Sequence, residues 1–127
     1  MTAAKSTKIL VVDDDPEIGP MLERTLGYDG YTVSSALSGA EALETFELER
    51  PALIIVDLMM PHMDGEAFIE TLRRTYAAEM PRVLLLSASD AREAIAKRLT
   101  VDASIAKPFE LEELRDVVEM LIGQRDT

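Results

Sequence analysis

A set of carboxylates, one hydroxyl and one lysine stand directly after short apolar runs, and their side chains could together hold a phosphoryl group. The set consists of Asp13, Asp14, Asp57, Ser87 and Lys107. Clustered carboxylates repel one another, so either protonation or a divalent cation must offset that cost. A few carboxylates, a backbone carbonyl and retained waters suit Mg²⁺ better than Ca²⁺. An aspartate in such a site can itself be the nucleophile and form an aspartyl-phosphate.

These side chains can meet only if the apolar runs before them are parallel strands of one sheet. The three strongest runs are Ile9–Val12, Leu53–Val56 and Val83–Leu86. Each is short and lacks helical periodicity, which is typical of strands buried on both faces. Weaker strands are predicted at residues 32–36 and 104–106, nearer the edges of the sheet.

Helical patterns fill the segments between the strands. Ser38–Glu41 has the pattern of a capping box, and the segment from Asp90 can open a shorter helix. Apolar residues between 111 and 122 form one stripe, as on an amphipathic helix. The first helix is predicted near Pro16–Leu26, where Pro20 is expected to distort or delay it.

The alternation of five strands with helices predicts a doubly wound α/β domain with a parallel sheet. The strand order 2-1-3-4-5, which is flavodoxin-like, fits five strands better than a six-stranded dinucleotide-binding order. The first and third strands are then neighbours, so Asp13 or Asp14 should lie close to Asp57. We expect a single domain over residues 1–127, with an ordered core at about 7–123 and no output domain.

Composition excludes several classes of protein. The 127 residues carry a formal net charge of −11, which argues against nucleic acid or an anionic membrane as a partner. The absence of cysteine excludes disulfide frameworks and Cys-based metal sites, and the single histidine, His62, argues against His-rich zinc sites. No apolar run approaches the roughly 20 residues that span a bilayer. Residues 1–8 lack the apolar core of a signal peptide, so a cytoplasmic location is expected.

Four motifs occur in a fixed order over about a hundred residues, and together they resemble the receiver domain of two-component response regulators. Each motif alone is weak, whereas the set at this spacing is specific. The motifs are Ile-Leu-Val-Val-Asp-Asp-Asp-Pro at 9–16, Val-Asp-Leu-Met-Met-Pro-His-Met-Asp-Gly at 56–65, Ser-Ala at 87–88 and Lys-Pro-Phe at 107–109.

The resemblance implies that Asp57 accepts phosphate from a sensor histidine kinase or a His-containing phosphotransfer protein. It implies that Asp13, Asp14, Asp57 and the backbone carbonyl of Met59 surround Mg²⁺, directly or through water. Asp14 is the better candidate for a direct ligand, and Asp13 for a ligand that acts through water. The protein would phosphorylate and dephosphorylate itself without turning over an external substrate, so it is not expected to be an enzyme.

The resemblance also implies roles for residues around the phosphoryl group. Ser87, Ala88 and Lys107 are expected to bind the phosphate, and the peptide bond between Lys107 and Pro108 is expected to be cis. The plainer alternative for acidic residues before a helix is capping, which is the favoured role of Asp15. His62 is expected to be an exposed loop residue.

Ser87 and Ser104 are the expected switch positions, and at Ser104 the sequence departs from the family pattern. Many receivers have Tyr or Phe three residues before the lysine, where this chain has Ser104, and Thr100–Val101 replaces the more usual Gly-Ala. We hypothesise that phosphorylation is read mainly through the loop and the fourth helix, residues 90–99. Unchanged amide spectra there in the presence of a phosphoryl mimic would contradict this hypothesis.

The bulk of Met59 at the mouth of the site suggests a second hypothesis. Its apolar side chain would hinder water and prolong the phosphorylated form. A Met59→Asn variant that loses phosphate no faster than the parent would count against this idea.

Three other functions compete with a phosphoacceptor. A phosphatase of the haloacid-dehalogenase type needs an Asp-x-Asp motif, but Asp57 is followed by Leu58 and Met59. A binding-only pseudo-receiver is opposed by the intact site residues. A flavin-binding domain is opposed by the lack of tryptophan and of a Ser/Thr-Gly loop after Val12. Output would pass to a downstream protein or to a covalently attached domain missing from this chain.

Overall fold

The computed structural model describes residues 7–58, 65–88 and 90–126, with side chains described as far as Gly123. Five strands alternate with five helices, as the sequence pattern predicts. The strands are β1 (Lys8–Val12), β2 (Thr32–Ala36), β3 (Leu53–Asp57), β4 (Arg82–Ser87) and β5 (Ala103–Ala106). The helices are α1 (Ile18–Tyr28), α2 (Gly39–Glu49), α3 (Gly65–Tyr76), α4 (Arg92–Leu99) and α5 (Leu111–Asp126), with a 3-10 turn at Ala77–Glu79.

The strands form one parallel sheet in the order β2-β1-β3-β4-β5, which confirms the predicted topology. All five residues of the central strand β3 are buried, as expected for a strand covered on both faces. The register pairs Val12 with Val56, Asp57 with Leu86, and Ser87 with Ala106. The carboxyl ends of β1, β3, β4 and β5 therefore come together at one edge of the sheet.

Alternate residues of the buried strands face two separate hydrophobic cores. Leu10 and Val12 of β1 pack with residues of α2, α3 and α4, whereas Ile9 and Val11 pack with residues of α1 and α5. Because a strand has a two-residue side-chain period, one continuous apolar run can supply both cores. Helices on both faces hold the sheet rigidly, and this rigidity fixes the residues at its carboxyl edge.

The helix starts follow from local chemistry, with two differences from the sequence prediction. Ser38 accepts a hydrogen bond from the Glu41 N–H at 3.2 Å, which confirms one half of the capping box, whereas the Glu41 side chain accepts from the Leu37 N–H instead of the Ser38 N–H. α1 begins at Ile18 instead of near Pro16, which confirms the expected delay, and Pro20 lies in the first turn, where its missing N–H needs no partner. α4 begins at Arg92 without a side-chain cap, so Asp90 lies outside the helix. Among the described residues, no helix has the length and apolar character needed to cross a membrane.

Candidate phosphoryl-transfer site

Asp13 lies at the end of β1 and is held from three sides. Its N–H donates to the carbonyl of Ala36 at 3.1 Å, which extends the pairing of β1 with β2. The Oδ1 atom of Asp13 accepts from the Asp15 N–H at 2.9 Å, and Oδ2 accepts from Lys107 Nζ at 2.8 Å. Only 2% of Asp13 is exposed. Its carboxylate is therefore oriented by hydrogen bonds and shielded from bulk water.

Asp57 is the last residue of β3, and 6% of it is exposed. The next residue, Leu58, donates its N–H to the carbonyl of Leu86 at 3.1 Å, so the strand stays paired past the carboxylate. Lys107 Nζ lies 3.4 Å from Asp57 Oδ2. Asp57 is thus a nearly buried anion whose charge is partly balanced by one lysine.

The carboxylates of Asp13, Asp14 and Asp57 each place an oxygen within 4.8 Å of the others. Asp14 is half-buried, whereas the other two are buried. Three acidic oxygens at this spacing fit a hard divalent cation such as Mg²⁺, which prefers carboxylate and water ligands. The predicted fourth contributor, the Met59 carbonyl, lies outside the described residues, as does His62.

Lys107 places its ammonium group next to two of the carboxylates, those of Asp13 and Asp57, and no other described lysine lies at this edge of the sheet. Partial burial by itself would lower the pKa of the lysine. The hydrogen bond and charge of Asp13, together with Asp57, outweigh burial and raise the pKa of Lys107 above its ordinary value of 10.5. Lys107 is therefore fully charged at neutral pH. The peptide bond between Lys107 and Pro108 is cis.

Ser87 and Ala88 differ in their exposure at the end of β4. Ser87 is fully buried, and its carbonyl accepts from the Lys107 N–H at 3.0 Å, which ties the ends of β4 and β5 together. Ala88 is exposed and lines a mainly apolar cavity of about 400 Å³ beside Lys107, together with Ile18 and Phe109. The cavity adjoins the site at Lys107 and Ala88, and none of the three clustered carboxylates lines it.

Asp15 has a structural role before α1, although it does not cap the helix, whose N-cap residue is Glu17 and which has no side-chain cap. It is exposed, and its Oδ1 atom accepts a hydrogen bond from the Glu17 N–H at 2.9 Å, just before α1. Asp15 is not among the three clustered carboxylates. Its side chain stabilises the turn that leads into the helix.

Arg92 was not singled out from the sequence, although it contacts an expected switch position. Its Nη1 atom donates to Ser104 Oγ at 2.7 Å, and only 19% of its side chain is exposed. The guanidinium thus reaches from the start of α4 to the side of β5. An arginine in a helix with little apolar character looks like a solvated residue, so the sequence carries no signal for this contact.

Comparison with protein families gives a match over most of the chain. The family described as the response regulator receiver domain matches residues 9–119. A probable transcriptional regulator, ycf27 of Porphyridium aerugineum, is 38% identical over 120 residues, which cover 94% of this chain and 49% of that protein. Response regulator MprA of Mycobacterium ulcerans is 40% identical over 114 residues, covering 86% of this chain and 47% of that protein. The chain therefore spans about half the length of the curated relatives it matches.

Solved structures give the same result. The receiver domain of a Francisella response regulator superposes with a TM-score of 0.85 at 30% identity, covering 94% of this chain and 99% of that one. Response regulator TrrA of Thermotoga maritima, solved in complex with Mg²⁺ and BeF, superposes with a TM-score of 0.79 at 31% identity. That match covers 91% of this chain and 98% of the other.

Proposed function

This chain belongs to the response regulator receiver domain family, and on that basis we propose that Asp57 is its phosphoacceptor. The observation that carries the proposal is the convergence of Asp13, Asp57 and Lys107 at one edge of the sheet. Lys107 Nζ lies 2.8 Å from a carboxylate that is 94 residues distant in sequence. Such a convergence of buried acids and a lysine suits the transfer of an anionic group.

In the proposed reaction, a carboxylate oxygen of Asp57 attacks the phosphorus atom of the donor. The bond between that phosphorus and the donor's leaving atom breaks, and its electron pair remains with the donor. For a phosphohistidine donor, the leaving imidazole nitrogen is then protonated. Asp13, Asp14 and Asp57 would hold Mg²⁺, which supplies positive charge that offsets the repulsion between the carboxylates and the incoming phosphoryl group.

The other site residues would bind and orient the phosphoryl group. Lys107 keeps its charge next to Asp57 and can pair with a phosphoryl oxygen. Ser87, at the end of the neighbouring strand, offers a hydroxyl at the same edge. Because Asp13 Oδ1 already accepts from the Asp15 N–H, one of its oxygens is fixed before any ligand arrives.

The proposed partners follow from this chemistry. A sensor histidine kinase or a His-containing phosphotransfer protein would supply the phosphoryl group, and water would later remove it. No external substrate would be turned over. A separate downstream protein or a covalently attached domain would read the phosphorylated state. The curated relatives are about twice as long as the part that this chain matches.

The direct test is to incubate the chain with acetyl phosphate and Mg²⁺ and to measure the intact mass. We expect one phosphoryl group to be added, and we expect EDTA to prevent the addition, since the carboxylate cluster then stays uncompensated. A mass that does not change under any of these conditions would contradict the phosphoacceptor and favour a binding-only pseudo-receiver.

We also propose that α4 carries the response to phosphorylation, because polar contacts hold much of it in place. Of its eight residues, all of which the structure describes, Leu99 alone is buried. Arg92 donates to Ser104, Arg98 pairs with Glu66 of α3, and the Leu99 carbonyl accepts from an arginine of α3. A helix with little buried apolar surface can shift at a lower cost than the other helices.

The Arg92→Ala variant tests this attachment. Loss of its hydrogen bond to Ser104 is expected to speed amide hydrogen exchange in α4 by about 2- to 10-fold, as about 1 kcal/mol predicts for one hydrogen bond. Amide shifts across 90–99 are expected when beryllofluoride and Mg²⁺ are added to the parent. Arg115→Ala is the matched control, because it removes a pair of hydrogen bonds to Asp29 on the other side of the sheet. Shifts that spare residues 90–99 would sink the proposal.

A further inference from the structure

Gly65, the first residue of α3, lies directly against the backbone of Asp57. A Cβ atom at Gly65 would clash with the carbonyl oxygen of Asp57 and would lie 3.0 Å from its carbonyl carbon and from Leu58 Cα. The Gly65 N–H also donates to the Leu58 carbonyl at 3.0 Å. The start of α3 and the end of β3 thus touch, backbone to backbone, at the residue that carries the site's central carboxylate.

Neither side of this contact can retreat easily. On one side, β3 is paired with both neighbouring strands, and the Leu58 N–H bonds to Leu86 beyond its end. On the other side, α3 inserts Phe68, Ile69 and Leu72 into the core, and all three are fully buried. Since packed cores deform little, a side chain at position 65 must push the two backbones apart.

We infer that Gly65 is a positioning residue for Asp57. The lack of a side chain allows α3 to pack directly against the end of β3, and this contact holds the Asp57 carboxylate toward Lys107 and the acidic residues that follow β1. This inference rests on the proposed function, because it takes Asp57 to be the phosphoacceptor. A bulkier residue would displace the carboxylate relative to Asp13 and Lys107, whose backbones are anchored to β2 and β4 instead.

Gly65→Ala is the test, with acetyl phosphate as the phosphodonor at saturating Mg²⁺. Ordinary contact of a Cβ begins at 3.4 Å, so the backbones must separate by several tenths of an ångström or more. A misplacement of reacting groups on the order of 1 Å lowers a reaction rate about 100-fold, so we expect phosphorylation by acetyl phosphate to slow by roughly 10- to 100-fold. Mg²⁺ affinity, measured by calorimetry without any phosphodonor, is expected to fall as well, and Leu58 amide exchange is expected to speed up.

Two other glycines provide matched controls. A Cβ at Gly123 of α5 would meet nothing within 4 Å, and the same holds for a Cβ at Gly27. We expect Gly27→Ala and Gly123→Ala to match the parent in both phosphorylation rate and Mg²⁺ affinity.

The outcomes separate this inference from the proposed function. If the parent is not labelled, the proposed function fails. If the parent is labelled and Gly65→Ala matches it in rate and Mg²⁺ affinity, the inference alone fails. If Gly65→Ala does not fold, the substitution is introduced into a background that also carries Gly27→Ala and Gly123→Ala, two helix-stabilising changes in open positions. If this triple variant is also unfolded, the positioning role is overturned, because Gly65 is then needed for folding itself.

Discussion

Replacing Asp57 by asparagine is expected to abolish the mass gain from acetyl phosphate and Mg²⁺. An amide is a far weaker nucleophile than a carboxylate, and the change also removes one of three acidic oxygens from the proposed metal site. We expect labelling to fall by more than about 1,000-fold, beyond the effect of losing one stabilising donor. Intact-mass measurement over a time course checks this. The fold should persist, because asparagine is nearly isosteric with aspartate.

Asp116→Asn is the matched control for this experiment. It makes the same chemical change on an exposed residue of α5, away from the carboxylate cluster. We expect the control to be labelled like the parent. A phosphoryl mass that persists in Asp57→Asn would move the acceptor to another residue, and fragmentation of the labelled protein would identify it.

The second large effect is expected for Lys107→Met, which keeps the aliphatic stem and removes the ammonium. Labelling by acetyl phosphate is expected to slow by about 100-fold or more, as is typical when one charged donor to a transferring group is lost. Asp13 would stay buried without its 2.8 Å partner. Without Mg²⁺, the free energy of unfolding is expected to drop by about 2 kcal/mol, less than for a fully buried pair, because 22% of the lysine side chain is exposed.

Added Mg²⁺ is expected to recover more stability in Lys107→Met than in the parent. In the parent, the ammonium and a bound Mg²⁺ would compete for Asp13, whereas in the variant the carboxylates would have no such competitor. Thermal melts at neutral pH with and without Mg²⁺ measure this difference.

The raised pKa of Lys107 sets the pH range over which its pair with Asp13 stabilises the fold. The pair contributes fully below about pH 10.5, and its contribution is lost only as the pH rises through the pKa of Lys107 in the folded protein. Thermal melts at neutral pH therefore measure the stability that the charged form of Lys107 contributes.

Lys8→Met is the control for the lysine experiment. Lys8 is exposed at the amino end of β1, at the opposite edge of the sheet from Asp13. Its replacement should change neither labelling nor the response to Mg²⁺. Equal slowing in both variants would point to a general effect of net charge rather than to the contact of Lys107 with Asp13.

Much of the fold could be predicted from local patterns. Apolar runs without helical periodicity located the buried strands β1, β3 and β4 to within one residue at either end. The capping box at Ser38 located the start of α2. α1 begins at Ile18 rather than at Pro16, which is the expected delay, and Pro20 thereby falls in the first turn, where a proline is tolerated. Local chemistry thus determined the elements, with differences confined to the ends of strands and helices.

The sequence by itself also placed acids, a hydroxyl and a lysine at the ends of predicted strands, because a parallel sheet brings such ends to one edge. Only the tertiary structure decided which atoms touch. Lys107 bonds to Asp13 and lies farther from Asp57, Arg92 reaches Ser104, and Gly65 abuts the backbone of Asp57. These contacts join residues of different elements, so they depend on the register of the strands and on the position of each helix against the sheet. Both are set by the packing of the two hydrophobic cores as a whole, which no local pattern of residues encodes.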